Sequence, residues 1–372
     1  MTSSLSTPVR IPPLYLPFSS SLHPEHETID HETASWAEQH GLGSEDLRKR
    51  ITTRAPSGKF AARLLPHGKR EVVRLLADCN FWLFAFDDGC CEEGKTGKHP
   101  GELAAVMSRM LRAAQTHDVA ALAGDPLATA LRDLGGRIAQ YATPGQSARW
   151  VNNLREYFMA AVWEAHYREN GSLPTVDDYT ILRLHTSGGL MLPVWVEMGL
   201  GIELHPLEAD NVAVRAANEM AAFVASWDND LISHHKESRS GGYYVNAVRV
   251  VQQERALTAE EAVAEVIRQR DRVLMLYNRL TQDLRSWGSP QLRQYLTCVD
   301  SCLRGSVEWQ LASARYNPPE DPADLPTCVL DTSTTAETSV PLPIPAISWW
   351  WTIPSPYRGV NRGPTVEQGI TR

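Results

Sequence analysis

The sequence predicts an all-α protein. Long stretches of its 372 residues place apolar side chains three and four positions apart, which is the period of an amphipathic helix. Almost nothing alternates with the period of two that a half-buried strand shows. Clusters of glycine and proline separate the stretches, as at Gly124-Asp125-Pro126 and at Gly288 with Pro290. The periodic segments cover residues 32–42, 59–86, 102–116, 126–141, 146–169, 175–200, 206–236, 258–287 and 289–316.

Composition divides the chain into three parts. Residues 1–30 are rich in Ser, Pro and His and predict a partly extended N-terminal segment, whereas residues 31–317 carry the helical pattern as one domain. Residues 318–372 are rich in Pro, Ser and Thr and weakly charged, which predicts a disordered tail. The tail contains three adjacent tryptophans, residues 349–351. We expect these to dock on the body or on a partner if they have a role.

Charge and cysteine content narrow the functional classes. The formal net charge is −8 and the basic residues are dispersed, which argues against nucleic acid as a partner. The sequence shows no signal peptide and no apolar run that predicts membrane insertion. Six cysteines lack the CxxC spacing of a metal site and the density of a disulfide scaffold. A reduced, cytoplasmic protein is therefore expected.

A ladder of oxygen ligands follows one face of a predicted helix. Asn229, Ser233 and Glu237 are spaced by four residues, so their directions differ by only about 80° in total and all three can reach one ion. An amide, a hydroxyl and a carboxylate suit Mg²⁺ better than zinc. Because only one of the three is charged, the ion keeps most of its positive charge for an anion such as a diphosphate. The alternative for this segment alone is a solvated helix face.

A second acidic site lies far upstream. The apolar run of residues 81–86 leads directly into Asp87 and Asp88, and Glu92 follows about one turn later. A helix with such a run is buried, so its carboxylates need partners, and divalent cations commonly supply them. Leu83 and Phe84 precede Asp87 by four and three residues and face the same way. They are candidate walls of an apolar cavity, with ordinary core packing as the alternative.

The two motifs together make the chain resemble the class I terpene cyclases of the bacterial and fungal type. The upstream motif is similar to the DDxxxE variant of that family and departs from the commoner DDxxD at Cys91. The downstream motif fits the family pattern NDxxSxxKE throughout. By this resemblance, the metal ligands are Asp87, Asp88, Glu92, Asn229, Ser233 and Glu237.

Two further segments resemble diphosphate-contacting parts of the same family. Arg183 corresponds to the diphosphate-sensing arginine, and the helix break that follows it in the family places the linker at Thr186 and the effector at Ser187. The family often has paired arginines here, whereas this chain has Arg183-Leu184, so the sensing role falls on Arg183 alone. Arg315 and Tyr316 match the terminal Arg-Tyr pair of the family.

The resemblance implies a bundle of about ten helices around a central cavity and three Mg²⁺ ions. It implies ionisation of farnesyl (C15) or geranylgeranyl (C20) diphosphate and cyclisation of the cation to a hydrocarbon or alcohol. The catalytic residues would be Arg183, Ser187, Arg315 and Tyr316, and Lys236 would join Arg183, Arg315 and Tyr316 in binding the diphosphate. Trp309, six residues before Arg315, is a further candidate wall. A monomer or a homodimer is expected.

Two other functions fit parts of the pattern. A chain-elongating isoprenyl diphosphate synthase shares the fold and the Mg²⁺ chemistry, but it needs a second aspartate-rich motif where this chain has Asn, Ser and Glu. A non-catalytic helical protein that binds diphosphates, or a partner through the tryptophans, would more naturally have lost one of the motifs.

Overall fold

The computed structural model describes residues 8–92, 95–116, 124–240, 242–330 and 339–353. Within these ranges the chain is helical, and its β-structure is one isolated bridge between Tyr15 and Leu330. The predicted all-α fold is confirmed. The α-helices are α1 His26–Gln39, α2 Glu45–Arg54, α3 Ser57–Leu64, α4 Arg70–Phe86, α5 Pro100–Gln115, α6 Pro126–Ile138, α7 Pro144–Asn170, α8 Val176–Thr186, α9 Leu192–Leu200, α10 Pro206–Ala209, α11 Val212–Arg239, α12 Ala247–Arg255, α13 Ala259–Trp287 and α14 Pro290–Ala312.

Capping residues explain why the long helices begin where the periodicity predicts. At the start of α7, the side chain of Thr143 accepts a hydrogen bond from the backbone N–H of Gln146, and the side chain of Gln146 accepts one from the backbone N–H of Thr143. Thr258 and Glu261 form the same arrangement at the start of α13. Such boxes satisfy backbone donors that a helix leaves without partners in its first turn.

Two predicted helices are each divided in the structure. The segment 59–86 forms α3 and α4, because Pro66 disfavours the helical conformation at Leu65, where α3 ends. The segment 206–236 forms the short α10 and the long α11, with the side chain of Asn211 capping α11 through the backbone of Ala213. Both breaks are local, so the helix faces that the periodicity assigns to the core still face it.

The structure also contains helices that the periodicity does not predict. The helices α2 and α12 are short, and each begins at a polar cap, Ser44 and Asn246 respectively. The last predicted segment, 289–316, ends earlier than expected, at Ala312. As a result, Arg315 and Tyr316 lie in a turn beyond α14 rather than on the helix.

The core surrounds a central cavity that is lined mainly by α3, α4, α7, α8, α11 and α14. The helix α11 contacts α8, α12, α13 and α14, and so occupies the middle of the bundle. Indole rings fill the spaces between helices, with Trp82, Trp150, Trp195 and Trp227 almost completely buried. None of the helices in the described ranges has both the length and the apolar composition needed to cross a bilayer.

The two terminal regions pack against the body. Ile11, Leu14 and Leu16 are buried. The backbone of residues 11–16 pairs with residues 324–330 through bonds such as Leu330 N to Leu14 O at 2.8 Å. Residues 11–16 of the N-terminal segment are therefore extended, and the start of the tail runs beside them.

Part of the tail is ordered, which corrects the expectation of disorder for residues 339–353. A 3₁₀ helix, Pro345–Thr352, lies on α8 and α11. Trp350 is 2% exposed and donates from Nε1 to Glu219 at 3.0 Å, and the backbone N–H of Ala346 donates to Asp177 at 2.8 Å. Leu342, Ile344 and Ile347 are buried with the indole, and this local apolar cluster outweighs the polar composition of the tail as a whole. Residues 331–338 and 354–372 lie outside the described residues.

Candidate active site

A cavity of about 280 Å³ lies between the helices and changes character along its length. Its volume is near the lower end of the ~300–1,000 Å³ typical of small-molecule pockets. Apolar side chains line most of the wall, whereas carboxylates, an amide and cationic side chains gather at one end. We call this end the polar end. It lies where α4, α8, α11 and α14 all approach their C-termini, and the predicted motifs meet there.

The first part of the polar end is the aspartate rim, Asp87 and Asp88. The helix α4 continues here as a π-helix, Asp87–Glu92, a rare geometry that often marks functional sites. Asp87 lines the cavity, whereas Asp88 is 4% exposed and pairs with both terminal nitrogens of Arg315 at 2.8 and 3.0 Å. Burial alone would raise the pKa of Asp88, but the Arg315 guanidinium holds it below its ordinary value. The side chain of Glu92 lies outside the described residues.

The second part is the asparagine rim, Asn229, Ser233 and Glu237 on α11. Asn246, the cap of α12, joins two of its members because its Nδ2 donates to Glu237 at 2.9 Å and approaches the Ser233 hydroxyl at 3.5 Å. Burial, together with the nearby charge of Asp230, raises the pKa of Glu237 to about 7. The hydrogen bonds from Asn246 and Ser233 act in the opposite direction but do not offset the burial.

Arg183 on α8 is bound to the asparagine rim. Its Nη2 donates to Asn229 Oδ1 at 2.6 Å, and its Nε donates to Asp230 at 3.0 Å. Asp230 also accepts from the Tyr179 hydroxyl at 2.5 Å. The guanidinium lines the cavity. The arginine is therefore held in place at the polar end by neighbours that α11 and α8 supply.

A break between α8 and α9 lies beside Arg183, at the position predicted for it. Ser187 ends α8, and its Oγ accepts from the backbone N–H of Gly189 at 3.0 Å. Gly188 has φ of 71°, in the left-handed region that glycine tolerates best. A Cβ at Gly189 would lie 2.9 Å from Cβ of Ala222. The two glycines thus allow the break to approach α11 closely.

The turn after α14 links the two rims. Arg315 pairs with Asp88 of the aspartate rim, and the Tyr316 hydroxyl accepts from Asn229 Nδ2 of the asparagine rim at 3.1 Å. The backbone N–H of Arg315 donates to the carbonyl of Arg54 at 3.0 Å, which fixes the turn against α2. Adjacent residues thus contact opposite rims.

Lys236 lies near both rims and lines the cavity. Burial tends to raise the pKa values of Asp88 and Glu237, and the positive charge of Lys236 is among the influences that lower both. It is half-buried. The polar end therefore combines carboxylates from two helices with cations from α8, α11 and the turn after α14.

Beneath the polar end, aromatic rings form part of the apolar wall. Trp309 stacks on Phe60 with ring centroids 4.2 Å apart and lies nearly parallel to Phe84 at 6.0 Å. The guanidinium of Arg315 lies over the Phe84 ring at 4.8 Å. Leu83 completes this part of the lining. All three wall residues chosen from the sequence thus contact the cavity, and Phe60 joins them.

The chemistry of the donor set fits a divalent cation. Asn229, Ser233 and Glu237 offer oxygen atoms on one face of α11, and Asp87 offers a carboxylate from the facing helix. The raised pKa of Glu237 indicates a carboxyl whose protein partners do not compensate its charge. Within the described ranges, no three His, Cys, Asp or Glu side chains by themselves form a group that could hold a metal ion, so the amide and hydroxyl oxygens are needed in the donor set.

Comparison with known proteins identifies the family. Residues 78–274 match the model of terpene synthase family 2, C-terminal metal binding. The chain is 36% identical over 355 residues to a germacradien-6-ol synthase of Streptomyces pratensis, covering 95% of this chain and 99% of that protein. The chain belongs to the terpene synthase family.

Two further relatives extend the similarity of this terpene synthase. A (+)-T-muurolol synthase of Streptomyces clavuligerus, described as (2E,6E)-farnesyl diphosphate cyclizing, is 33% identical over 347 residues and is matched over 82% of its length by 92% of this chain. The crystal structure of SVS_A2, a protein from ancestral sequence reconstruction, superposes with a TM-score of 0.79 at 30% identity, covering 92% of this chain and 98% of that one. The expected family, the all-α fold and the cyclase activity are confirmed, as is a divalent metal cofactor in general.

Several residues of this site in the terpene synthase were not predicted from the sequence. Asn246 binds the asparagine rim from another helix, and its role as a cap of α12 was not recognised. Glu164 and Arg168 also line the cavity and pair with each other at 2.6 Å. Their spacing of four residues on α7 was a signal that they share a face, but not that the face is internal. Two expected ligands, Asp88 and Ser233, are buried behind the cavity surface.

Proposed function

We propose that this terpene synthase ionises farnesyl diphosphate in the presence of Mg²⁺, cyclises the resulting cation to a terpene hydrocarbon or alcohol, and releases diphosphate. Support for a C15 substrate comes from the relatives whose names specify farnesyl diphosphate, the muurolol synthase and a 4-epi-cubebol synthase of Streptosporangium roseum.

One observation carries the proposal. The aspartate rim and the asparagine rim lie at the same end of an apolar cavity and are joined through the adjacent residues Arg315 and Tyr316. An anion at this end would meet cationic side chains from three parts of the chain, while its hydrocarbon group would extend along the apolar wall. This division of the cavity matches a substrate with a highly charged head and a long apolar chain.

The chain's own donors would hold the diphosphate. Arg183, Lys236 and Arg315 carry permanent or nearly permanent positive charge, and the forked donors of arginine suit phosphate oxygens. Tyr316 adds a hydroxyl. In the structure Arg183 and Arg315 bind Asn229, Asp230 and Asp88. Substrate binding would share or replace these contacts, so the guanidinium groups are oriented before the anion arrives.

The residues that would hold the metal are those of the two rims, with Glu92 as the distal ligand of the aspartate motif. Three Mg²⁺ ions are proposed, and they would neutralise the charge that develops on the departing diphosphate. The asparagine rim offers one carboxylate and two neutral oxygens, which leaves most of a bound ion's charge available to the diphosphate.

The chemical step is the heterolytic cleavage of the allylic C–O bond, with the electron pair going to the diphosphate. Ser187, at the end of α8, lines the cavity where the new cation would lie. Phe84 and Trp309 present aromatic rings that stabilise a cation through their quadrupoles and exclude solvent. Attack by a remote double bond of the same chain then closes a ring, and loss of a proton or addition of water ends the reaction.

The experiment is a product assay over substrates of different length. The purified protein is incubated with Mg²⁺ and with C10, C15, C20 or C25 linear isoprenyl diphosphates, and the extracts are separated by gas chromatography with mass detection. We expect a cyclic C15 product and an equal amount of diphosphate. Absence of turnover with every substrate would contradict the enzymatic function, and a longer linear diphosphate formed after adding isopentenyl diphosphate would indicate an elongating synthase instead.

The asparagine rim offers a matched pair of variants. Ser233→Ala removes a hydroxyl that is 1% exposed and bonded within the rim. Ser238→Ala removes one that is exposed on the same helix and donates to the backbone of His235. Turnover should fall only in the first variant. Equal effects would contradict a metal-binding role for the rim.

Two further properties belong to the proposal. A cytoplasmic location is supported by six cysteines that are all free thiols in the structure. A monomer or a homodimer is proposed, and size-exclusion chromatography with light scattering would distinguish them.

A further inference from the structure

The apolar wall of the cavity contains an amide for which metal and diphosphate binding give no role. Asn80 on α4 is 8% exposed and lines the cavity. Its Nδ2 is buried and has no hydrogen-bond partner among the described residues. A buried amide donor without a partner costs free energy, so such groups are rare in folded proteins unless a water or ligand completes them.

The position of Asn80 places it far from the polar end. It precedes Asp87 by seven residues, which is nearly two turns of helix, so both side chains lie on the same face of α4 and about 10 Å apart along its axis. Leu83 and Phe84 line the wall between them. The amide therefore faces the region where the hydrocarbon chain would lie, and not the region proposed for the diphosphate.

Two other polar side chains of the lining, Asn218 and Ser306, already have partners within the protein. Asn218 Oδ1 accepts from the Tyr295 hydroxyl at 2.8 Å, and Ser306 Oγ accepts from Gln310 at 2.9 Å. Thr186 Oγ1 resembles Asn80 in having no partner among the described residues. It adjoins Ser187 at the break, however, and so belongs to the end where the diphosphate would bind.

We propose that Asn80 holds a water molecule in the cavity and that this water captures the cyclised carbocation, so that the product is an alcohol. The inference rests on the proposed function and deepens it. A turn of the Asn80 amide about its terminal bond brings Nδ2 to the cavity surface, where the water oxygen accepts a hydrogen bond from it and keeps a lone pair for the cation. That lone pair forms the new C–O bond, and the resulting oxonium transfers one proton to the diphosphate released in the same turnover. No oxidant or reductant is required.

Because the held water lies about two turns below the aspartate rim, it would meet a cation only after charge has moved along the chain. Early capture next to the diphosphate would give an acyclic alcohol, whereas capture near Asn80 gives a cyclic one. The proposal therefore specifies a cyclic terpene alcohol as the main product.

The test uses water enriched in oxygen-18 and follows product and diphosphate separately. With wild-type protein, Mg²⁺ and farnesyl diphosphate, we expect one labelled oxygen in a cyclic alcohol. In Asn80→Leu, which keeps a similar volume without hydrogen-bonding groups, the ratio of alcohol to hydrocarbon should fall by roughly tenfold or more, while diphosphate release continues. Asn80→Gln, which restores an amide, should recover part of the alcohol.

Asn218→Leu is the matched control, since it removes another amide of the lining that has a protein partner. It should leave the ratio of alcohol to hydrocarbon largely unchanged. A wild-type product without labelled oxygen, or an equal fall of the ratio in both Leu variants, would overturn the inference. Either result leaves the proposed function intact, since diphosphate release and ring closure would still occur; absence of diphosphate release in the wild type would refute the proposed function instead.

Discussion

The two rims at the polar end of the cavity differ in how the protein treats their carboxylates. Asp88 of the aspartate rim has a bidentate guanidinium partner in Arg315, and its pKa stays below the ordinary value despite burial. Glu237 of the asparagine rim has an amide and a hydroxyl as partners, and burial raises its pKa to about 7. The first rim is thus held ionised by the protein itself. In the second rim, the carboxyl of Glu237 needs an added cation before its ionised form is favoured at neutral pH.

This difference suggests a division of labour. Under the proposed function, Arg315 is already oriented by Asp88 to donate to the diphosphate. The neutral oxygens around Glu237 would form a site whose positive charge the metal supplies. The following predictions test that division, beginning with the largest expected effect.

Substituting a residue of the asparagine rim should lower turnover more than any of the other changes. Asn229 bonds to Arg183, Gln310 and Tyr316, so Asn229→Ala removes a proposed metal ligand and the link between the rim and two proposed diphosphate donors. We expect turnover to fall by roughly 10³-fold or more, and Glu237→Ala should behave alike. Steady-state kinetics measures the loss, and far-ultraviolet circular dichroism should show unchanged helicity. Turnover close to that of the wild type would refute the metal assignment.

Substitution of Asp87 should lower turnover more than substitution of Asp88. Asp87 lines the cavity, whereas Asp88 is turned toward Arg315. Asp87→Asn should therefore lower kcat by roughly 10³-fold. Asp88→Asn, which weakens one charge-assisted pair, should cost roughly 10- to 100-fold, mainly through KM for the diphosphate substrate. If Asp88→Asn proves the more damaging to kcat, Asp88 rather than Asp87 is the principal metal ligand of the aspartate rim in the active enzyme, and Arg315 must move away.

The raised pKa of Glu237 predicts how pH acts on the metal-free protein. The carboxyl ionises near 4.5 in the unfolded chain and near 7 in the folded one. Between these values the folded state binds the additional proton, so the free energy of unfolding should fall as pH rises through this window and level off above it. Thermal unfolding in a chelator, from about pH 5 to about pH 8, measures the slope. Glu237→Gln should flatten it, and so should saturating Mg²⁺; an equal slope in Glu237→Gln would assign the effect to other groups.

The smallest effect on turnover is expected from the tail. Trp350 packs against Phe223 and bonds to Glu219, both on α11, so it supports the helix of the asparagine rim from behind. Trp350→Ala should destabilise the fold by about 3–5 kcal/mol while lowering kcat only slightly at moderate temperature. Trp351→Ala, at a half-buried neighbour, is the control and should lower the unfolding midpoint less. Denaturant unfolding of both variants measures the two losses of stability.

The sequence predicted the parts of the site that depend on local spacing. Asn229, Ser233 and Glu237 share a helix face because four-residue steps nearly complete a turn. Leu83, Phe84 and Asp87 share one for the same reason. The all-α class followed from periodicity over long segments. Each of these inferences needs only neighbours in the chain.

What the sequence could not show depends on contacts between distant segments. The pairing of Asp88 with Arg315 joins residues 227 positions apart, and it turns Asp88 away from the cavity surface. Asn246 contacts Glu237 from another helix. The tail was expected to be disordered because its average composition is polar, whereas residues 339–353 carry four buried apolar side chains, Leu342, Ile344, Ile347 and Trp350. An average over the whole tail hides such a local apolar cluster.

The most direct test of the two-rim arrangement is the binding of inorganic diphosphate, measured by isothermal titration calorimetry with and without Mg²⁺. The structure predicts that wild-type protein binds diphosphate strongly only when Mg²⁺ is present and that Asn229→Ala abolishes this dependence. Binding of equal strength without Mg²⁺, or an unchanged Mg²⁺ dependence in Asn229→Ala, would contradict the joint action of the two rims.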